Sequence, residues 1–273
     1  MTQPAGSPDT IPPATRKPKV LSGKAQERWL SLMSPIGLLL LWEALIRAGL
    51  GDARFVPPPS TIAVTFYELA LTGELWTHTW ATVVRTLAGY VLGVVPAIAV
   101  GLIMAMSIWT KRIVDPLIAA LFPIPKIALM PMLMLALGFG EAPKIALVAI
   151  STFFPVVIAA YVGGANIEKI YLDVAHNFGA NKRTLLRRVI FFGALPMIFA
   201  ALRLAIGIAF IVIIAAEFVS SEKGIGTLIW SSWQLLLIDR MFVGIIVIGI
   251  LGVIFSQLIA ELERVVIPWR RQQ

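Results

Sequence analysis

The sequence predicts an all-α integral membrane fold with six transmembrane helices. Three observations lead there. The chain of 273 residues is 58% hydrophobic and only 14% charged, where a soluble domain is about 45–50% apolar and about 25% charged. The apolar surplus is gathered in blocks of roughly 20 residues, the length that crosses a bilayer as a helix. The basic residues fall in the connections between those blocks, on one side more than the other. Helices are expected because a helix satisfies its own backbone hydrogen bonds in lipid. With no cysteine in the chain, disulfides, thiolate metal sites and thiol catalysis are excluded.

Residues 1–28 are polar and proline-rich and carry Arg16, Lys17, Lys19, Lys24 and Arg28. They read as a disordered tail. The apolar run that follows starts too late and is too long for a signal peptide. Apolar blocks then fall at about 30–50, 82–107, 115–138, 143–163, 193–219 and 242–262, giving a six-span domain over 29–263 and a short tail at 264–273. With the N-terminus inside, the tail, 108–114, 164–192 and 263–273 are the inner segments, and they carry 5, 2, 5 and 3 of the 23 basic residues. That split obeys the positive-inside rule and puts both termini in the cytoplasm. It also accounts for the net charge of +8 without nucleic acid as a partner.

Between the first two spans lies FVPPPSTIAVTFYELALTGELW. Three prolines stiffen the link, Ser60 can cap a helix, and Gly73 can end it. Ile62, Phe66 and Leu69 repeat at helical spacing. The segment reads as a short amphipathic helix, on the outer membrane surface or packed on the spans. In span two, Gly89, Gly93, Ala97, Gly101 and Ala105 recur every four residues, a smooth stripe that lets another helix approach closely. Its partner lies in the same chain or in a second copy.

Span three is interrupted by Pro123, Pro125 and Pro131, with Lys126 among them. Irregular backbone at membrane depth survives only inside protein or beside a water-filled cavity. Phe122–Pro131 is therefore a candidate for the translocation path, against kinked-helix packing alone. Glu43, Lys126, Arg203 and Glu217 are intramembrane charges, which face a bundle interior or a cavity. Lys126 and Arg203 read as path residues for an anion or as snorkelling and ion-paired side chains, and Glu217 as a residue of an outer gate.

The polar stretch YLDVAHNFGANKRTLLRRVIFFGALP, from Tyr171 to Pro196, stands out between apolar runs. Ile170, Val174 and Phe178 lie four apart and share one face of a helix over 166–178. Gly179 can end that helix, and Asn181 can cap a second over 182–189 with Lys182, Arg183, Arg187 and Arg188. The unit is helix, sharp bend, helix. Its apolar face needs a partner, either the bundle itself or another protein.

This segment resembles the EAA loop of ABC importer permeases, whose pattern is E-A-A, three residues, Gly, nine residues and I-x-L-P. Asp173-Val174-Ala175 stands at the E-A-A position and Gly179 follows at the same spacing. Asp replaces Glu, Val replaces the first Ala, and the proline comes four residues late, as Leu195-Pro196. The late pair is similar to the nitrate, sulfonate, taurine and bicarbonate branch. So are FVPPPSTI, RTLAGYVLGVVPAIAVGL, DPLIAALFPIPKIALMPMLMLALGFGEAPKI, FFPVVIAAYVG and AAEFVSSEKGIGTLI, in order across residues 55–230.

The resemblance implies a type I importer permease in a bacterial inner membrane, working as a homodimer. It implies two cytoplasmic ATPases, which bind the ATP and magnesium, and a periplasmic or lipid-anchored solute-binding protein. The loop about 166–190 would be the coupling element, with Ile170, Asp173, Val174, Ala175, Phe178 and Gly179 meeting the ATPase. No phosphate-binding G-x-x-x-x-G-K-[ST] or G-x-S-x-G occurs, and His78 and His176 form no ligand pattern. The chain is thus expected to be non-catalytic and without a cofactor or metal of its own. An ion-coupled secondary transporter is the alternative. It would have to use Glu43 or Glu217, and it leaves the loop unexplained.

Overall fold

The computed structural model describes residues 23–269, with side chains from Met33 onward. They are helical almost throughout. The expected tail lies outside the described residues up to residue 22, as do the last four residues of the chain. Two units divide the chain, one ending at Gly51 and the other starting at Asp52. The first contains α1 (Gly23–Arg47), which takes Pro35 within its length. The first expected span falls in this helix. Arg47 Nε donates to Glu43 Oε1 at 2.6 Å, one turn away, so Glu43 has a local ion-pair partner.

The second unit is built from α2 (Pro59–Leu71), α3 (Glu74–Met106), α4 (Ile108–Leu121), α5 (Met130–Leu137), α6 (Ala142–Ala165), α7 (Lys169–Asn177), α8 (Lys182–Leu185), α9 (Phe191–Ser220), α10 (Ile225–Gln234) and α11 (Ile238–Val266). Among the described residues, α3, α6, the continuous stretch Lys182–Ser220 and α11 are long and apolar enough to cross a membrane. A fifth crossing exists if α4 and the run Lys126–Leu137, bent by 91°, count as one span. Much of the apolar surface of these helices is exposed, as expected of faces that meet lipid rather than water.

The core lies where α6 packs between α3 and α9. Ala97, Val156, Val157, Ala160, Ala205 and Ala209 are fully buried there. The stripe of small residues on α3 is turned to α6 of the same chain, which settles the choice of partner. A Cβ on Gly93 would lie 2.3 Å from the Ala149 carbonyl oxygen, and one on Gly101 would lie 2.5 Å from that of Val157. Backbones this close leave no room for a methyl group. At the far end of the same contact, Gly164 of α6 meets Ala105 and Ile190.

Several boundaries differ from the sequence reading, each for a local reason. Residues 108–114 form the first turns of α4 rather than a loop, because the Ser107 hydroxyl accepts from Thr110 N–H and starts a new helix. In α2 the proline at the first position, not a Ser60 cap, opens the helix. Its buried face is Ile62, Thr65 and Leu69, with Phe66 exposed. Thr65 Oγ1 donates to Asp239 Oδ2 at 2.8 Å, so α2 is pinned to α11. The stretch 182–189 is not a free second helix. α8 continues through a π turn, Leu186–Ile190, directly into α9.

The α3–α6 contact makes a direct prediction. Gly93→Ala overpacks a helix interface, at a cost of about 1–3 kcal/mol. It should lower the melting temperature of the detergent-solubilised protein. Gly207→Ala, where a Cβ meets nothing within 4 Å, should leave it unchanged or raise it, since alanine favours helix. Equal melting of both variants would contradict the close approach.

Candidate functional site

Two features stand apart from ordinary packing, at opposite ends of α9. At about 1.5 Å per residue, Ile190 and Glu217 are about 40 Å apart. The first feature is α7. Among its described side chains none is buried. Ile170, Tyr171 and Val174 are exposed, and Phe178, just past its end, is 87% exposed. Asp173 is exposed beside them and Ala175 is half-buried.

The bend after α7 is closed by two hydrogen bonds. Gly179 N–H donates to the His176 carbonyl and Ala180 N–H to the Ala175 carbonyl, each at 2.9 Å. Gly179 is left-handed, with φ +70°. This is the glycine-ended helix stop in which both orphan carbonyls are satisfied. Asn181 then caps the next turn, its Oδ1 accepting from Thr184 N–H at 2.9 Å. The apolar face is therefore presented at a fixed angle to α8 and α9. Four exposed cations, Lys182, Arg183, Arg187 and Arg188, flank it.

The second feature is a knot of buried charge at the other end of the bundle. Glu217 is fully buried near the end of α9. Its carboxylate accepts from Thr82 Oγ1 at 3.0 Å, Arg85 Nη1 at 2.8 Å and Gly226 N–H at 2.9 Å. Gly224 approaches so closely that a Cβ there would sit 2.3 Å from the Glu217 carboxyl carbon. His78 Nδ1 lies 2.7 Å from the Gly224 carbonyl oxygen and 3.0 Å from its amide nitrogen.

Arg85 turns its other edge to Glu141. Its Nε donates to Oε2 and its Nη2 to Oε1, the latter at 2.9 Å. Arg85 also donates to the Lys223 carbonyl. Lys144, 2% exposed, donates to Glu141 Oε1 at 3.1 Å and Ser221 Oγ at 2.9 Å. A cleft of about 730 Å³ opens onto this knot, lined by Arg85, Glu141, Lys144, Ser220, Ser221 and Lys223 among others.

The sequence candidates for a path do not converge. Lys126 donates to the carbonyls of Leu121, Phe122 and Ile124 at 3.2, 2.7 and 2.7 Å. It also lies 4.8 Å from the Phe154 ring centroid. It closes the C-terminal end of α4 and borders an apolar cavity of about 480 Å³ with Gly93, Phe153 and Phe154. Pro123 lies in the bend and Pro131 opens α5, where no backbone donor is needed. Arg203 pairs with Glu263 of α11. Glu217 is sealed from solvent.

Residues 97–267 match the family described as "binding-protein-dependent transport system inner membrane component". The chain belongs to that family. It is similar to the putative aliphatic sulfonates transport permease of Bacillus subtilis (strain 168), at 32% identity over 97% of this chain and 96% of that one. It is 29% identical to the taurine transport system permease of Escherichia coli (strain K12), over 92% and 96% of the two chains. A solved structure of the inward-facing MetNI methionine ABC transporter shares the fold. The TM-score is 0.59 at 16% identity, over 68% of this chain and 93% of that one. The protein is thus the permease of an ABC importer, a translocation component and not an enzyme.

The sequence reading passed over Arg85, Glu141 and Lys144. One signal was available in the permease sequence: Arg85 stands as a lone charge in the apolar block 82–107 and Glu217 shares 193–219 only with Arg203, and charges at such positions seek partners. The hydrogen bond from Arg85 holds the Glu141 carboxyl below its ordinary value of 4.5, against an opposing effect of burial and with Lys144 adding to the shift. A lowered folded value means that the pairing stabilises the fold fully above pH 4.5 and loses that effect as pH falls through the lowered value. The melting gap between wild type and Glu141→Gln should accordingly be constant from neutral pH down to about pH 4.5 and narrow below it. A gap that widens in acid would contradict the assignment.

Proposed function

We propose that the protein is one half of a homodimeric, ATP-driven importer for small anionic solutes of the sulfonate, taurine, nitrate or bicarbonate type. Two cytoplasmic ATPases grip the pair, and a periplasmic or lipid-anchored binding protein delivers the solute. The α7 end faces the cytoplasm with both termini, and α1 supplies a further span, for six in all. Residues 166–190 form the coupling element.

The observation that carries this reading is the exposed apolar face of Ile170, Tyr171, Val174 and Phe178. An unpartnered face of this kind marks a protein interaction site. An amphipathic helix docks by laying such residues into a groove of its partner. Because α8 runs without a break into α9, a pull on α7 is delivered to a membrane span rather than absorbed in a loop. Switching by rigid movement of packed elements needs that kind of continuity. The solute class rests on the sulfonate and taurine permeases the chain resembles. A secondary transporter would need a free coupling carboxylate, whereas Glu217 is held by three donors.

The test is co-purification with the co-expressed ATPase. Phe178→Asp changes an exposed side chain and should leave the melting temperature unchanged. Loss of a central aromatic anchor costs about 2 kcal/mol or more. Capture of the ATPase and solute-stimulated ATP turnover should therefore fall at least about tenfold. Unchanged capture and turnover would overturn the proposal.

A further inference from the structure

The knot around Arg85 holds its two carboxylates in different ways. Glu217 is fully buried and tied by Thr82, Arg85 and Gly226. The Glu141 side chain is 55% exposed. It follows Gly138-Phe139-Gly140, where Gly138 is left-handed at φ +81° and neither glycine has a neighbour within 4 Å of a would-be Cβ. Glu141 is thus an anion on a short, uncrowded tether, set against two cations that are themselves buried.

The charge count gives this meaning. Arg85 and Lys144 bring two positive charges, Glu217 one negative, and Glu141 the second. Glu222 and Lys223 at the rim carry opposite charges of their own. Without Glu141 the knot holds one buried positive charge that nothing compensates, which is costly. One external monoanion restores the balance. The Nε and Nη2 donors of Arg85 already hold two carboxylate oxygens side by side, and this forked edge fits any planar or tetrahedral oxyanion. A third donor stands by: Ser220 Oγ is shielded from solvent and has no hydrogen-bond partner. The cleft also carries an apolar lining of Met134, Phe139, Phe218 and Val219, enough to take a short aliphatic tail.

We propose that this cleft is a docking subsite for a small organic oxyanion with three terminal oxygens, a sulfonate above all, whose charged group takes the place of the Glu141 carboxylate. Two oxygens meet Arg85, Lys144 neutralises the group, and Ser220 donates to the third oxygen. Glu141 is a tethered stand-in that keeps the subsite neutral when no solute is bound. The inference rests on the reading of the protein as an importer for small anions.

The test uses the purified full-length chain in detergent, without ATPase, and ethanesulfonate as probe. Sodium gluconate at equal ionic strength is the control: its carboxylate has only two terminal oxygens, and its polyhydroxy chain does not match the apolar lining of the cleft. In gluconate, Glu141→Gln should melt several degrees below wild type. Ethanesulfonate should restore it along a saturating curve, as binding to the folded state requires. Wild type should need at least about tenfold more of the probe to respond, since its own carboxylate competes. Adding Ser220→Ala should weaken the rescue, by about fivefold for one lost hydrogen bond.

The double variant Glu141→Gln/Lys144→Gln returns the knot to neutrality. It should melt close to wild type in gluconate and ignore ethanesulfonate. If Glu141→Gln folds only when ethanesulfonate is present during purification, that is the same rescue. Equal rescue by gluconate, a Glu141→Gln variant that melts with wild type, or a double variant still rescued by ethanesulfonate would overturn the subsite. With no ATPase in the assay, that failure would leave the coupling face of α7 untouched.

Discussion

The close approach of α3 to α6 is the contact on which the rest of the bundle depends. It exists because glycine and alanine recur every four residues along α3, so that backbone meets backbone where side chains would hold the helices apart. Both sites sit at the ends of this contact. At one end it brings Arg85 of α3 beside Glu141 and Lys144 at the start of α6. At the other it sets Gly164 of α6 against Ile190, the last residue of the π turn that leads into α9. A spacing wider by one methyl group would loosen both.

α9 completes the frame. The run from Lys182 to Ser220 is 39 residues of continuous helix, with the α7 bend before it and Glu217 near its far end. Its one irregular turn, Leu186–Ile190, lies where α8 joins α9. π turns of this kind are often found at functional positions. In the proposed mechanism that turn is where a movement imposed on α7 enters the membrane, and Glu217 is where it arrives. The charge knot and the bend that carries the coupling helix then stand at the two ends of one continuous helical run.

What the sequence disclosed follows a physical rule. Local features were legible. The left-handed glycine after α7, the Asn181 cap and the apolar face of Ile170, Val174 and Phe178 all depend on residues within a few positions of one another, and the structure contains each of them. The interruption at Phe122–Pro125 was legible too, because proline is its own signal. Long-range pairing was not. Arg85, Glu141 and Glu217 come from three different helical segments, and only the packing of α3, α6 and α9 brings them together. The short α10 was missed because its ten residues run on into the apolar stretch Leu235–Ile238 that leads to the last span. In α2, Phe66 was grouped with Ile62 and Leu69 on one apolar face, whereas the buried face holds Thr65, whose hydroxyl has its partner on α11.

The chain has no cysteine, so one cysteine at a time gives an unambiguous address. The most direct measurement is cross-linking in native membranes from a photoreactive maleimide on Phe178→Cys, with the ATPase co-expressed. Leu258→Cys, on an exposed apolar position of α11, is the control. Position 178 should give a permease–ATPase product and position 258 none. No product at 178, or equal products at both positions, would contradict it.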